Sequence, residues 1–136
     1  MQNQLFWTKD MSVNDEELDT QHKKLFSIIN KLIDIQGGRT DSGKTFDCLK
    51  ELVDYTGYHF NSENKYMARH DFPMLREHID AHVEYVKKMG VFLEDFEKGR
   101  AELNSDLLTY LRDWWTNHVL EEDMKYADYI IISSHR

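Results

Sequence analysis

The sequence predicts an all-α protein: an up-down-up-down antiparallel four-helix bundle with an N-terminal arm and a short C-terminal segment. Three observations carry this reading. Four stretches repeat their apolar residues at the i, i+3, i+4, i+7 spacing of an amphipathic helix. Between them the chain is punctuated by Gly37-Gly38, by His70-Asp71-Phe72-Pro73 and by Gly99, breaks short enough to turn each helix back against the last. A chain of 136 residues that is 40% hydrophobic and 31% charged, with a single proline, suits one helical domain over 1–136 and argues against disorder.

Taken in order, residues 1–17 show no clear period but carry Phe6, Trp7, Met11 and Val13. They are expected to form an ordered arm whose aromatics lie over a bundle spanning 18–130, since flexible tails rarely carry such residues. Asp19 is a good N-cap for the first helix, along which Leu18, His22, Leu25, Phe26, Ile29, Leu32, Ile33 and Gln36 form one stripe until Gly37-Gly38. Asp41 or Ser42 opens the second, with Phe46, Leu49, Leu52, Val53, Thr56, His59, Phe60, Glu63 and Met67 on its stripe. Gly57 inside that stripe is expected where another backbone or a bulky neighbour packs close. Pro73 suits the first turn of the third helix, which carries Leu75, Ile79, Val86, Met89 and Leu93 and runs to about Lys98 before Gly99. Asn104 or Ser105 caps the fourth, with Leu107, Leu108, Leu111, Trp114, Trp115 and His118 facing inward. Tyr126, Tyr129 and Ile130 keep the C-terminal segment packed on the bundle.

The formal charge of −8, from 25 acidic and 17 basic residues with no basic run, repels nucleic acid and anionic membranes, so neither is an expected partner. The single cysteine, Cys48, has no internal disulfide partner and fits a reducing compartment. It falls beside Leu49 and Leu52 and reads as a small buried thiol. No basic n-region precedes an apolar run at the start, and the apolar stretch Tyr129 to Ile132 is far too short to span a bilayer. A cytoplasmic location is expected; the oligomeric state is open.

Chemistry collects on the inward stripes. Of seven histidines, five (His22, His59, His78, His82 and His118) take core-facing positions on four different helices, with Glu63 one turn from His59. A lone histidine on an apolar face is ordinarily a core residue bonded to a carbonyl. Five buried together with a carboxylate are costly unless something compensates, and metal ligation is the usual compensation. Asp123 is ambiguous on spacing alone. Five α-helical residues turn about 500°, which leaves it roughly 140° away from the direction of His118. Either the helix ends or deforms between them, or Asp123 is a solvated acid in the run Glu121-Glu122-Asp123.

The segment Asp19-Thr20-Gln21-His22-Lys23-Lys24-Leu25-Phe26 resembles the opening signature of the hemerythrin family. The H-x-x-x-E of His59/Glu63, the H-x-x-x-H of His78/His82 and the H-x-x-x-x-D of His118/Asp123 follow in that family's order. The likeness extends over essentially the whole chain, including Trp7 and the Trp114–Asn117–His118 context. It implies a non-haem di-iron centre, two Fe ions bridged by an oxo or hydroxo group, that binds O2 reversibly. His78, His82 and His118 would hold one iron and His22 and His59 the other, with Glu63 and Asp123 bridging, which is the ligand reading of Asp123. Two octahedral irons offer twelve positions, of which five imidazoles, two bridging carboxylates and one bridging oxygen fill eleven. The open position falls on the iron with two histidines. Imidazole and carboxylate are ligands iron accepts readily, although zinc or manganese could enter the same cage.

By family position, Leu25, Phe26, Phe60, Trp114, Trp115 and Val119 would line the O2 pocket. Trp115 is bulkier than the aliphatic residue usual there, and Val119 is smaller than the usual isoleucine or leucine. Asn64 stands where the family often has a second glutamate and is expected to alter only the outer surface. Gln21 is placed to bond the second nitrogen of a ligand imidazole, Tyr126 to pack beneath Asp123, and His70 and His135 to be exposed and non-ligating. The alternatives are a di-iron oxidase, peroxidase or ferroxidase, or an excised O2 or redox sensory domain. Ferritin-like oxidases place a Glu-x-x-His on each of two helices, and these inward stripes have none. The H-E-x-x-H of a hydrolytic zinc site is absent as well.

Overall fold

The computed structural model describes residues 4–38 and 42–134. Asp41 as a helix start, His135 and the first three residues of the arm lie outside them. The bundle consists of α1 (Glu16–Gly37), α2 (Ser42–Arg69), α3 (Leu75–Glu97) and a fourth helix built from α4 (Ser105–Asn117), a π-helical turn (His118–Asp123) and α5 (Met124–Ser134). The residues flanking the π-turn, Asn117 and Met124, keep right-handed helical dihedrals, so the fourth helix continues through it. α1 packs on α2 and on α4, and α2 on α3. No helix among the described residues is long and apolar enough to cross a membrane.

The first helix starts earlier than its sequence suggests. Asp15 is the N-cap and accepts from the Leu18 N–H at 2.9 Å. Asp19, one turn further in, accepts instead from the Ser12 hydroxyl at 2.6 Å and the Val13 N–H at 2.9 Å, and so ties the arm to the bundle. In that arm Leu5, Met11 and Val13 are buried and Trp7 is half-buried beneath Lys23. Phe6 departs from expectation: it is 74% exposed, because alternate residues of an extended arm face opposite ways.

α2 ends in a Schellman motif, with Phe72 N–H bonded to Met67 C=O and Asp71 N–H to Ala68 C=O. Asp71 takes the left-handed position (φ +55°). Phe72 and Met67 then meet in the core beneath the turn. Pro73 lies in this turn and not in the first turn of α3, which begins at Leu75. α3 closes with the same motif around Gly99 (φ +74°), bonded to Phe96 while Arg100 bonds Asp95. Asn104 caps α4 through the Leu107 N–H, as its position suggests.

Two further departures follow from helix geometry. On α3 the buried line runs His78, His82, Tyr85, Met89, while Val86 is 42% exposed. At Gly57 an added Cβ would meet nothing within 4 Å, so no close neighbour accounts for it.

Two apolar clusters fill the bundle. One gathers Leu25, Ile29, Leu52, Phe60, Tyr85, Leu111 and Trp115; the other joins Val13, Leu18, Met67, Phe72 and Tyr126. On α1, α2 and the fourth helix, His22, His59, Glu63, His118 and Asp123 fall between members of the two clusters in sequence. Each fully buried leucine contributes about 1.5–3 kcal/mol, which offsets the burial of the polar layer between them.

Candidate metal centre

Each helix supplies part of that polar layer through one-turn spacing. His59 and Glu63 share a face of α2, as His78 and His82 share a face of α3. The fourth helix solves its own problem differently. The chain from His118 to Asp123 winds as a π-helical turn, wider than an α-helix, which brings residues five apart towards one face. His118 and Asp123 both point inward as a result, and Asp123 is fully buried.

The structure brings all seven sequence-predicted residues together. They form two groups, each able to hold a metal ion: Glu63, His78, His82, His118 and Asp123 in one, His22, His59, Glu63 and Asp123 in the other. Glu63 and Asp123 belong to both, and each divides its two oxygens between them. Glu63 Oε1 lies 3.2 Å from His78 Nε2 and 3.0 Å from His82 Nε2, while Oε2 lies 3.4 Å from both His22 and His59. Asp123 Oδ1 lies 2.9 Å from His78 and 3.1 Å from His118, with Oδ2 3.1 Å from His22.

The outer nitrogens are held as well. His59 Nδ1 meets Gln21 Oε1 at 2.7 Å, the role expected of Gln21. His82 Nδ1 meets Asn64 Oδ1 at 3.1 Å, so Asn64 acts on the cluster and not merely on the outer surface. Tyr126 donates its hydroxyl to Glu63 Oε2 at 2.8 Å, which fixes a partner sequence spacing does not identify. His70 is exposed on the turn after α2.

These bonds test whether the layer suits a cation. Amide oxygens can only accept, so His59 and His82 donate from Nδ1 and turn bare Nε2 lone pairs inward, onto carboxylate oxygens that are also acceptors. Acceptors 3.0–3.4 Å apart repel unless a positive charge lies between them. His59 Nε2, both ring nitrogens of His22 and both oxygens of Asp123 are buried without a hydrogen-bond partner. The donor set fits metal ions.

Without metal, protons take part of that role. Burial disfavours charge on His22, but Asp123 and Glu63 outweigh it and push the imidazole up to about 10. His78 is pushed up to about 9 by the same two carboxylates against the same cost. His59 also faces Glu63 at 3.4 Å yet is lowered, because its burial is complete and only one carboxylate opposes it closely. Burial lowers His82 too. Glu63 and Asp123 lie well below the usual carboxylate range despite burial, held ionised by the surrounding imidazoles.

The family profile described as the Hemerythrin HHE cation binding domain matches residues 13–130. The chain belongs to the hemerythrin family. Bacteriohemerythrin from Methylococcus capsulatus is 33% identical over 124 residues, covering 89% of this chain and 92% of that protein. Bacteriohemerythrin from Stenotrophomonas maltophilia is 29% identical over 128 residues, covering 93% and 81%. A crystal structure of wild-type hemerythrin superposes with a TM-score of 0.86 at 30% identity, covering 91% of this chain and 95% of that one.

Around this hemerythrin cluster the six expected pocket residues take distinct places. Phe60 lies flat on His82, with ring centroids 3.7 Å apart and 4° between planes. Trp115 is buried with its centroid 6.0 Å from that of His59 and 5.6 Å from that of Phe60. Leu25, Phe26 and Val119 are buried in the same apolar cluster. Trp114 is half-buried and stacks on His118 at 4.4 Å, against the three-histidine group. Tyr85, missed by the sequence reading, accepts the Trp115 indole N–H at 2.9 Å and stacks on Trp114 at 4.2 Å. Its place three residues after His82, on the same helix face, is the signal that could have found it.

Proposed function

We propose that this chain binds O2 reversibly at a non-haem di-iron centre and serves as an oxygen carrier, store or sensor. The observation that carries the reading is the division of both carboxylates between two histidine groups, which suits two cations held side by side. His78, His82 and His118 would hold one iron and His22 and His59 the other, with Glu63 and Asp123 shared between the two. The ion pair, when bound, supplies the reversible two-electron chemistry that O2 uptake and release require. The two-histidine group offers one imidazole fewer than the other, so an ion held there would have room for O2.

The protein's own contribution is positioning and exclusion. Gln21 and Asn64 fix the tautomers of His59 and His82, so that Nε2 faces the centre with its lone pair. Tyr126 restrains Glu63 through Oε2 and remains a donor, since burial and the nearby carboxylates raise its phenol well above the ordinary range. Phe60 and Trp115, with ring centroids 5.8 and 6.0 Å from that of His59, and Leu25, Phe26 and Val119 of the same apolar cluster would keep out the water and protons that would make O2 binding irreversible. A ligand set of five imidazoles with two carboxylates carries less negative charge than a ferritin-like oxidase site, and this favours binding over O2 activation.

Iron titration under anaerobic conditions tests the assignment. Two Fe(II) per chain are expected, with loss of metal in His82→Ala and none in His70→Ala. Uptake of a single zinc and no iron, or equal loss in both variants, would overturn it.

A further inference from the structure

We propose that the groove between α2 and α3 is a binding site for a flat aromatic reductant with an acidic group, of the hydroquinone class, which returns electrons to the metal centre through His82. The proposal rests on the di-iron reading above.

The groove measures about 310 Å3. Its α3 wall includes Val83 and Val86, 45% and 42% exposed, which leaves apolar surface uncovered at the mouth. Gly57 lies on the α2 wall. Glycine within a helix is destabilising, and here no atom of the described residues beyond the helix's own backbone lies within 4 Å of where a Cβ would stand. Its effect is to leave the slot open. A groove of this size with Phe60, Ile79, Val83 and Val86 on its lining suits an aromatic ring.

Charge selects the occupant further. The chain carries a net charge of −8, yet among the described residues no carboxylate lines this groove. Lys87 lies on its lining, together with the amides of Asn61 and Asn64. Because Asn64 Oδ1 is engaged by His82, its two N–H groups are left to donate to a ligand oxygen. An aromatic anion meets each of these features.

The redox role comes from what lies at the inner end. The groove lining includes both Phe60 and His82. His82 Nε2 is 3.0 Å from Glu63 Oε1 and 3.1 Å from His118 Nε2, inside the three-histidine group, and Phe60 lies flat against its ring. The cluster itself is buried, so a reductant cannot touch it, but one seated here is separated from it by a single imidazole. A hydroquinone gives up two electrons and two protons to become the quinone; two ferric ions each gain one electron, and the protons pass to solvent.

Naphthohydroquinone sulfonate is a suitable probe. Its oxidised form is titrated calorimetrically into zinc-loaded protein, where no electron can move, and its reduced form is mixed with the ferric protein in stopped flow. One molecule should bind per chain, and the rate of iron reduction should saturate with hydroquinone concentration. Gly57→Leu, which fills the slot with a helix-favouring side chain, should weaken binding roughly tenfold or more and remove the saturation. Val83→Glu, a surface change that adds a carboxylate to the wall, should do the same if the leucine variant fails to fold. Lys87→Gln should abolish the preference for the sulfonated over the plain ring. Unchanged binding and rates in Gly57→Leu and Val83→Glu would overturn the proposal. Failure to take up iron would overturn the di-iron reading instead, while calorimetry still decides the groove.

Discussion

Loading the centre with zinc near pH 7.5 should expel about two protons per chain, because the metal displaces those held between the carboxylates. His22 is held up at about 10 and His78 at about 9, so each carries a proton at that pH. His59 and His82 are lowered and carry none. Overall affinity for full loading then rises by roughly two decades per pH unit up to about 9, which is about 2.7 kcal/mol per unit. The slope halves between 9 and 10 and vanishes above. Stability of the metal-free protein follows the opposite course. A pKa raised above the ordinary 6.5 gives stability that is fully present below 6.5 and is lost as pH rises through 9 and then 10. The depressed Glu63 and Asp123 contribute above their ordinary values and lose that contribution only as pH falls well below them. Calorimetric zinc titration in two buffers of different ionisation enthalpy counts the protons. A count near zero would refute the reasoning, since it would mean that the carboxylates do not hold His22 and His78 charged.

Three further outcomes test the packing around the centre. Tyr126→Phe removes a buried donor to a carboxylate and should cost about 1.5–3 kcal/mol in urea unfolding of the metal-free protein; an unchanged midpoint would show that the bond contributes nothing. Gly57→Ala, with open space around the new methyl group, should raise stability by about 0.5–1 kcal/mol, and a lower midpoint would reveal a neighbour that the structure does not place there. Asp19→Ala deprives Ser12 and Val13 of their acceptor and should cost about 1–3 kcal/mol, with faster proteolysis at Lys9; cutting at the original rate would mean that the arm is held by its apolar residues alone.

The bundle was legible because its stripes are long and the punctuation between them is plain. Spacing also selected the histidines, since a residue every third or fourth position can be placed on a face without knowledge of the partner helix. Asp123 was not decidable in that way. α-Helical geometry turns it away from His118, and only the π-turn, a local departure that periodicity does not encode, returns it. Asp15 and Asp19 are both acceptable caps and lie one turn apart; the choice depends on the arm, which occupies Asp19. Tyr85 and Val86 are adjacent, and which of them turns inward depends on how α3 rolls against its neighbours. The bonds from Asn64 to His82 and from Tyr126 to Glu63 span 18 and 63 residues. Such pairs are set by the packing of whole helices, beyond the reach of local spacing.

The central claim, reversible O2 binding at two irons, is tested most directly by an optical oxygen cycle on the iron-loaded protein. Reduced anaerobically, exposed to air and then returned to an oxygen-free atmosphere, the protein should develop visible absorption with oxygen and lose it when oxygen is withdrawn, with two irons per chain retained throughout. Colour that persists after oxygen is removed, or two irons that never colour reversibly, would contradict the account and favour an oxidase.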